Sequence, residues 1–148
     1  MKKTILNLLI LFLLISTKTF GQGGASSCAE LAANPAPFQS CATSIPFSSS
    51  VGGNGENFAS SCIPTPYVGP TWFFIEIDSP GSVTLQISQQ NLAGNGTDVD
   101  FVLWGPFQNL NNICNQLNTA NEVDCSYLPD NVETVNIPNS NAGDLYVI

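Results

Sequence analysis

Residues Thr97 to Phe107 read Thr-Asp-Val-Asp-Phe-Val-Leu-Trp-Gly-Pro-Phe, and they alternate at period two. Val99, Phe101 and Leu103 fall on one face, with Asp98, Asp100, Val102 and Trp104 on the other. β-branched and aromatic residues dominate the run, Asn95-Gly96 precedes it, and Gly105-Pro106 is expected to stop it. The pattern predicts a strand with one buried face and one decorated face. The decoration includes two carboxylates at i and i+2, about 7 Å apart along a strand.

The rest of the chain repeats this period. In Thr71 to Asp78, Phe73, Ile75 and Ile77 share one face, and Trp72, Phe74 and Glu76 the other. From Ser82 to Ser88, Val83, Leu85 and Ile87 alternate with polar residues, which predicts a half-buried strand. Asp78-Ser-Pro-Gly-Ser82 between them is a turn, so the two strands are expected to form a hairpin. Glu122 to Tyr127 is a short strand candidate, Val132 to Ile137 alternates with Val135 and Ile137 on one side, and Asp144 to Ile148 begins another strand. Ending there, on an apolar strand, predicts a domain incomplete at its C-terminal end. No helix is predicted outside the first 22 residues. Strands separated by turn signals at this spacing point to an all-β, antiparallel β-sandwich.

Residues 1–22 stand apart. Lys2-Lys3 form a basic start, Ile5 to Ile15 an apolar run, and Ser16 to Gln22 a polar exit. This is the pattern of a secretory signal peptide, and the apolar run is shorter than the ~20 residues that span a bilayer. Residues 23–70 are rich in Gly, Ser, Ala, Asn and Pro and are expected to be an irregular, cysteine-containing part of the module, with residues 71–148 forming the sandwich core.

Export changes the electrostatics. Lys2, Lys3 and Lys18 are the only bases, and the chain has no histidine, so loss of the leader moves the formal charge from −8 to −11. Such a surface repels nucleic acid and anionic membranes. A buried carboxylate in it must be satisfied by N–H groups, hydroxyls, water or a bound cation. Cys28, Cys41, Cys62, Cys114 and Cys125 all lie in the exported part, where disulfides form. Cys114 with Cys125 closes a short Asn- and Gln-rich loop and is the first pairing expected; Cys41 with Cys62 is the second, leaving Cys28 over. Zinc is disfavoured by the lack of histidine and of any Cys-x-x-Cys pair.

The order of Pro70-Thr-Trp72-Phe-Phe, Gly81 to Ile87, Asp98 to Phe107, Val123-Asp-Cys-Ser-Tyr127, Glu133 to Pro138 and Gly143-Asp-Leu-Tyr146 is similar to an N-terminal module of large secreted proteins. Those proteins occur in gliding, Bacteroidetes-type bacteria and often end in a sorting domain for the type IX secretion system. The same order resembles, more loosely, the pre-peptidase C-terminal (PPC) β-sandwich. The first resemblance implies a non-catalytic cell-surface module with a jelly-roll or PPC-like fold and neighbouring domains in a longer chain, serving adhesion or binding. The second implies an accessory domain of a secreted hydrolase. A small glycan-binding protein is the third alternative, and a glycan or a protein on the cell exterior is the partner class expected.

Catalysis is disfavoured. Without histidine there is no Ser-His-Asp or Cys-His arrangement, and a carboxylate pair on one strand face does not flank a cleft. Asp98 and Asp100 have two readings. The commoner is acceptance of backbone N–H bonds from a neighbouring loop. The sharper is a Ca²⁺ site completed by Asn95, Asp124 or backbone carbonyls. Trp72 and Trp104 likewise read as a ligand platform for sugar rings or, more commonly, as packed strand residues.

Overall fold

The structure is a computed structural model and describes residues 24–35, 44, 47 and 55–148. Residues 1–22, read above as a signal peptide, and Cys41 lie outside the described residues. One short helix, α1 (Cys28–Ala33), precedes six strands: β1 (Phe74–Glu76), β2 (Gly81–Ser88), β3 (Phe101–Phe107), β4 (Glu122–Ser126), β5 (Val132–Ser140) and β6 (Leu145–Val147), with a 3-10 turn at Ile113–Asn115. All strand pairs are antiparallel. They form a four-stranded sheet in the order β1-β6-β3-β4 and a two-stranded ribbon of β2 and β5. The chain is all-β, as the alternation predicts.

The expected hairpin of β1 and β2 does not form. β1 pairs with β6 and β2 with β5, so the Asp78 to Gly81 turn carries the chain from one sheet to the other. The physical reason is that the two apolar rows face each other across a core rather than lying side by side. Ile75, Ile77, Phe101, Leu103, Tyr146, Val135 and Ile137 form one buried cluster, with Val83, Leu85, Ile87 and Val123 packed against it. Those residues come from both sheets.

A second cluster covers the other face of the four-stranded sheet. Trp72, Phe74, Val102, Trp104, Phe107 and Val147 meet Ala25, Cys28, Leu31, Tyr67, Ile113 and Leu117 there. The face expected to be decorated is therefore covered by the N-terminal segment together with the β3–β4 connection around Ile113 and Leu117. β3 is buried on both sides, Leu103 fully and Trp104 to 2% exposure. Its carboxylates precede it, because β3 starts at Phe101 rather than at Thr97.

α1 is the element that the sequence reading lacks. Ser27 caps it by accepting a bond from Glu30 N at 3.1 Å, and Glu30 Oε2 accepts from Ser26 N and Ser26 Oγ at 2.7 Å. This is a capping box shifted by one residue, and those bonds hold the Glu30 carboxyl below its usual range. Six residues are too few for a helix to stand alone; the burial of Cys28 and Leu31 holds this one.

Gly105-Pro106 does not stop β3. The strand runs through it to Phe107 with one extra residue, since Trp104 faces Val147 and Phe107 faces Leu145. Gly105 has φ 152°, and a Cβ there would stand 2.5 Å from Tyr146 Cδ1 and 2.9 Å from Leu145 O. The bulge therefore requires glycine. Gly105→Ala is expected to cost about 1–3 kcal/mol from backbone strain alone, read as a drop in the denaturant midpoint. Gln86→Ala, on the exposed row of β2, is expected to stay within about 0.5 kcal/mol.

Candidate functional site

One end of the ribbon carries four of the six large apolar side chains exposed among the described residues. Beyond Ser88, Gln89 N donates to Asn131 O, Thr97 N to Gln89 O, and Val99 N to Asp130 O, each at 3.0 Å. These bonds tie the β2–β3 loop to the β4–β5 turn. A side chain at Gly96 would collide with that of Asn131, so the two segments also touch closely.

Within the loop, Asn91 acts as a scaffold. Its Oδ1 accepts from Ala93 N and Asn95 N at 3.0 Å, its carbonyl from Gly94 N and its amide donates to Asn95 O, both at 2.9 Å. Such side-chain bonds to backbone are the strength of asparagine in turns. The result holds Leu92 fully in water. Tyr127 and Leu128 in the adjoining turn are more than half exposed, and Val132 opens the outward row of β5. Of the six large apolar side chains exposed among the described residues, these are four.

The carboxylates lie at the same end. Asp98, Asp100 and Asp130 are exposed. Burial of part of the group, then the charges of Asp98 and Glu133, push the Asp100 carboxyl above its ordinary value. Glu133 sits in the inward row of β5 with Val135 and Ile137, 6% exposed, and its Oε1 has no hydrogen-bond partner among the described residues. Asp124 is engaged elsewhere: it accepts from Cys125 N at 2.9 Å and from Asn136 N at 2.7 Å, joining β4 to β5. Its role is that of a strand-pinning acceptor. The structure does not gather Asp98, Asp100 and Asp124, and among the described residues no three His, Cys, Asp or Glu side chains are placed to hold a metal ion.

A raised carboxyl pKa sets a sign for stability. The unfolded chain releases this proton at lower pH than the folded chain does, so Asp100 costs stability once both states are ionised. That cost fades as pH falls through the folded value and is gone below the unfolded one. Asp100→Asn should therefore stabilise at neutral pH by less than about 0.5 kcal/mol, since solvent screens an exposed group, and should be neutral near pH 3. Paired melts at the two pH values check it; a larger gain at the acid end would contradict it.

The tryptophans are not a platform. Trp72 and Trp104 are each 2% exposed and stack on one another with ring centroids 5.9 Å apart and planes at 22°. Trp72 Nε1 donates to Glu56 Oε2 at 2.5 Å, and the same carboxylate accepts from Cys28 N at 3.2 Å. Phe58 stands edge-on to Trp72, its ring centroid 5.2 Å away. No ring face is left for a ligand, because the segment expected to be irregular lies over both.

The disulfides also differ from expectation. Cys28 pairs with Cys114 and Cys62 with Cys125, with Cα atoms 5.9 and 6.3 Å apart. Neither Cys114–Cys125 nor Cys41–Cys62 forms. The first bridge ties α1 to the 3-10 turn, and the second ties the covering segment to β4. Glu122 reinforces the second by accepting bonds from Ser61 N at 2.8 Å and from Ser61 Oγ.

Leu92, Tyr127 and Leu128 are not singled out by strand periodicity. The signal available is an isolated hydrophobe inside turn sequence, as in Asn91-Leu-Ala-Gly-Asn-Gly96 and Tyr127-Leu-Pro-Asp-Asn131. No family model matches this chain, and neither the curated proteins nor the solved structures provide a match.

Proposed function

We propose that this chain is a non-catalytic binding module of a secreted or surface-displayed protein, and that it adheres through the loop end built by Asn91, Leu92, Tyr127, Leu128 and Val132. The observation that carries this reading is Leu92. A loop closed by four Asn91 hydrogen bonds holds an apolar side chain outside any core, which costs hydration free energy and contributes nothing to the fold. A surface of that kind gains only when a partner covers it. Two disulfides fit an oxidising, extracellular setting. The absence of histidine, and of any base after Lys18, removes most general acid–base chemistry. The likeness to N-terminal modules of large secreted proteins agrees with this reading.

The test uses the full chain expressed in a bacterium and recovered from outside the cytoplasm. Beads carrying the protein are passed over surfaces coated with proteins and with polysaccharides. Retention on a coat, reduced by Leu92→Ser/Leu128→Ser with no change in melting temperature, supports the reading. Retention that ignores this double variant, retention on no coat, or a reduced protein that keeps residues 1–22 in the cytoplasm would overturn it.

A further inference from the structure

The chemistry of the same end specifies the partner, a step that rests on the binding reading above. We infer that this end docks a protein segment carrying lysine or arginine beside apolar side chains.

Two features of the surface have to be matched at once. The apolar part is Leu92, Tyr127, Leu128 and Val132, exposed on backbone segments that hydrogen bonds tie together, so little backbone freedom is lost when it is covered. The charged part is Asp98, Asp100 and Asp130. Beyond Lys18 the chain has no lysine, arginine or histidine, so among the described residues no side-chain cation answers these carboxylates. Asp100 also bears the repulsion of Asp98 and Glu133, which an incoming cation relieves.

Other occupants fit less well. A second copy brings eleven more acids and no base after Lys18, and repels the first. Anionic membranes and nucleic acid are repelled for the same reason. A neutral sugar could stack on Tyr127, but it has no use for three aliphatic side chains or for the carboxylates. A basic, apolar protein segment uses both: its charges steer the encounter and its apolar groups hold the complex.

The experiment titrates the full chain with three synthetic peptides of equal length and with a neutral β-glucan oligosaccharide. One peptide interleaves Lys and Leu, one Lys and Ser, one Glu and Leu. The Lys/Leu peptide is expected to bind at least about tenfold more tightly than Lys/Ser, as burial of one leucine implies, and Glu/Leu not to bind. Leu92→Ser/Leu128→Ser should weaken the Lys/Leu complex by about tenfold. Asp98→Asn/Asp130→Asn should weaken it and flatten its salt dependence. Asp78→Asn, in the turn at the far end of the ribbon, should leave it unchanged. These exposed positions are not needed for folding, and unchanged melting confirms that. Equal binding of the two lysine peptides, no binding of Lys/Leu, or indifference to both double variants would overturn the inference. Oligosaccharide binding that Leu92→Ser/Leu128→Ser abolishes would keep the binding module and replace its partner class, so the two readings fail separately.

Discussion

Loss of the Cys28–Cys114 bridge is expected to destabilise the protein by up to about 4.6 kcal/mol, and loss of Cys62–Cys125 by up to about 4.3 kcal/mol, each the figure for that bridge acting alone in the chain-entropy model of cross-linking. The figures are large because the bridges span 86 and 63 residues, and closing a long loop in the unfolded chain costs more than closing a short one. The spans interleave, since Cys62 lies inside the first and Cys114 inside the second. The two effects are therefore not additive: while one bridge is intact it shortens the loop that the other closes, so the first bridge to be lost should cost less than its own figure and the second its full figure. Against a whole-domain stability of about 5–15 kcal/mol, either loss matters. The damage should be uneven. Both bridges anchor the layer made of α1, the 3-10 turn and the segment around Cys62, whereas the core between the ribbon and the sheet contains no cysteine. Cys28→Ala/Cys114→Ala is thus expected to lose amide protection first over α1 and last in β3 and β5, by hydrogen exchange. Non-reducing peptide mapping that joins Cys114 to Cys125 would contradict the pairing, and uniform loss of protection would contradict the layered account.

What the sequence makes legible here is periodicity. Phe101 and Leu103, Val135 and Ile137, and Val83 to Ile87 all lie on the faces their alternation predicts, because a one-residue slip would turn each row into water. Partners are another matter. Strand pairing depends on which rows face across the core, and alternation is the same for a strand beside its neighbour and one opposite it. That is why β1 and β2 read as a hairpin while pairing with β6 and β5. The second buried face was encoded less openly. Val102 and Trp104 share a parity with Asp98 and Asp100, so the run looks decorated; four consecutive apolar residues from Phe101 are instead the mark of a strand covered on both sides. Cysteine connectivity is not carried by spacing at all. A short loop such as Cys114 to Cys125 attracts a pairing on paper, but those residues sit on opposite attachments of the covering layer, each within reach of a distant partner. The candidate site was the least legible, since its rigid loop is fixed by Asn91 bonds that no pattern of hydrophobicity reports.

The covering layer also sets up a comparison between two tryptophans of equal burial. Trp72→Ala is expected to cost about 3–5 kcal/mol through the cavity alone, and the change also strips the Glu56 carboxylate of its indole donor, leaving it, among the described residues, the bonds from Cys28 N. Trp104→Ala opens a similar cavity but leaves no acceptor behind. The sharper measurement replaces each by phenylalanine. Both changes trim the same ring system at 2% exposure and keep part of the stack. Trp72→Phe deletes a hydrogen bond to an ionisable carboxylate, a contact of about 1.5–3 kcal/mol. Trp104→Phe deletes an N–H that is buried with no partner among the described residues, so it relieves a desolvation cost instead of losing a bond. Trp72→Phe should therefore be the more destabilising by at least about 1.5 kcal/mol, measured by denaturant unfolding with both bridges intact. Glu56→Gln separates the charge from the bond: an amide oxygen still accepts from Trp72 Nε1, so this variant should fall between wild type and Trp72→Phe. Equal losses for the two phenylalanine variants would mean that Glu56 holds nothing in place, and that shape alone seats the N-terminal segment on the sheet.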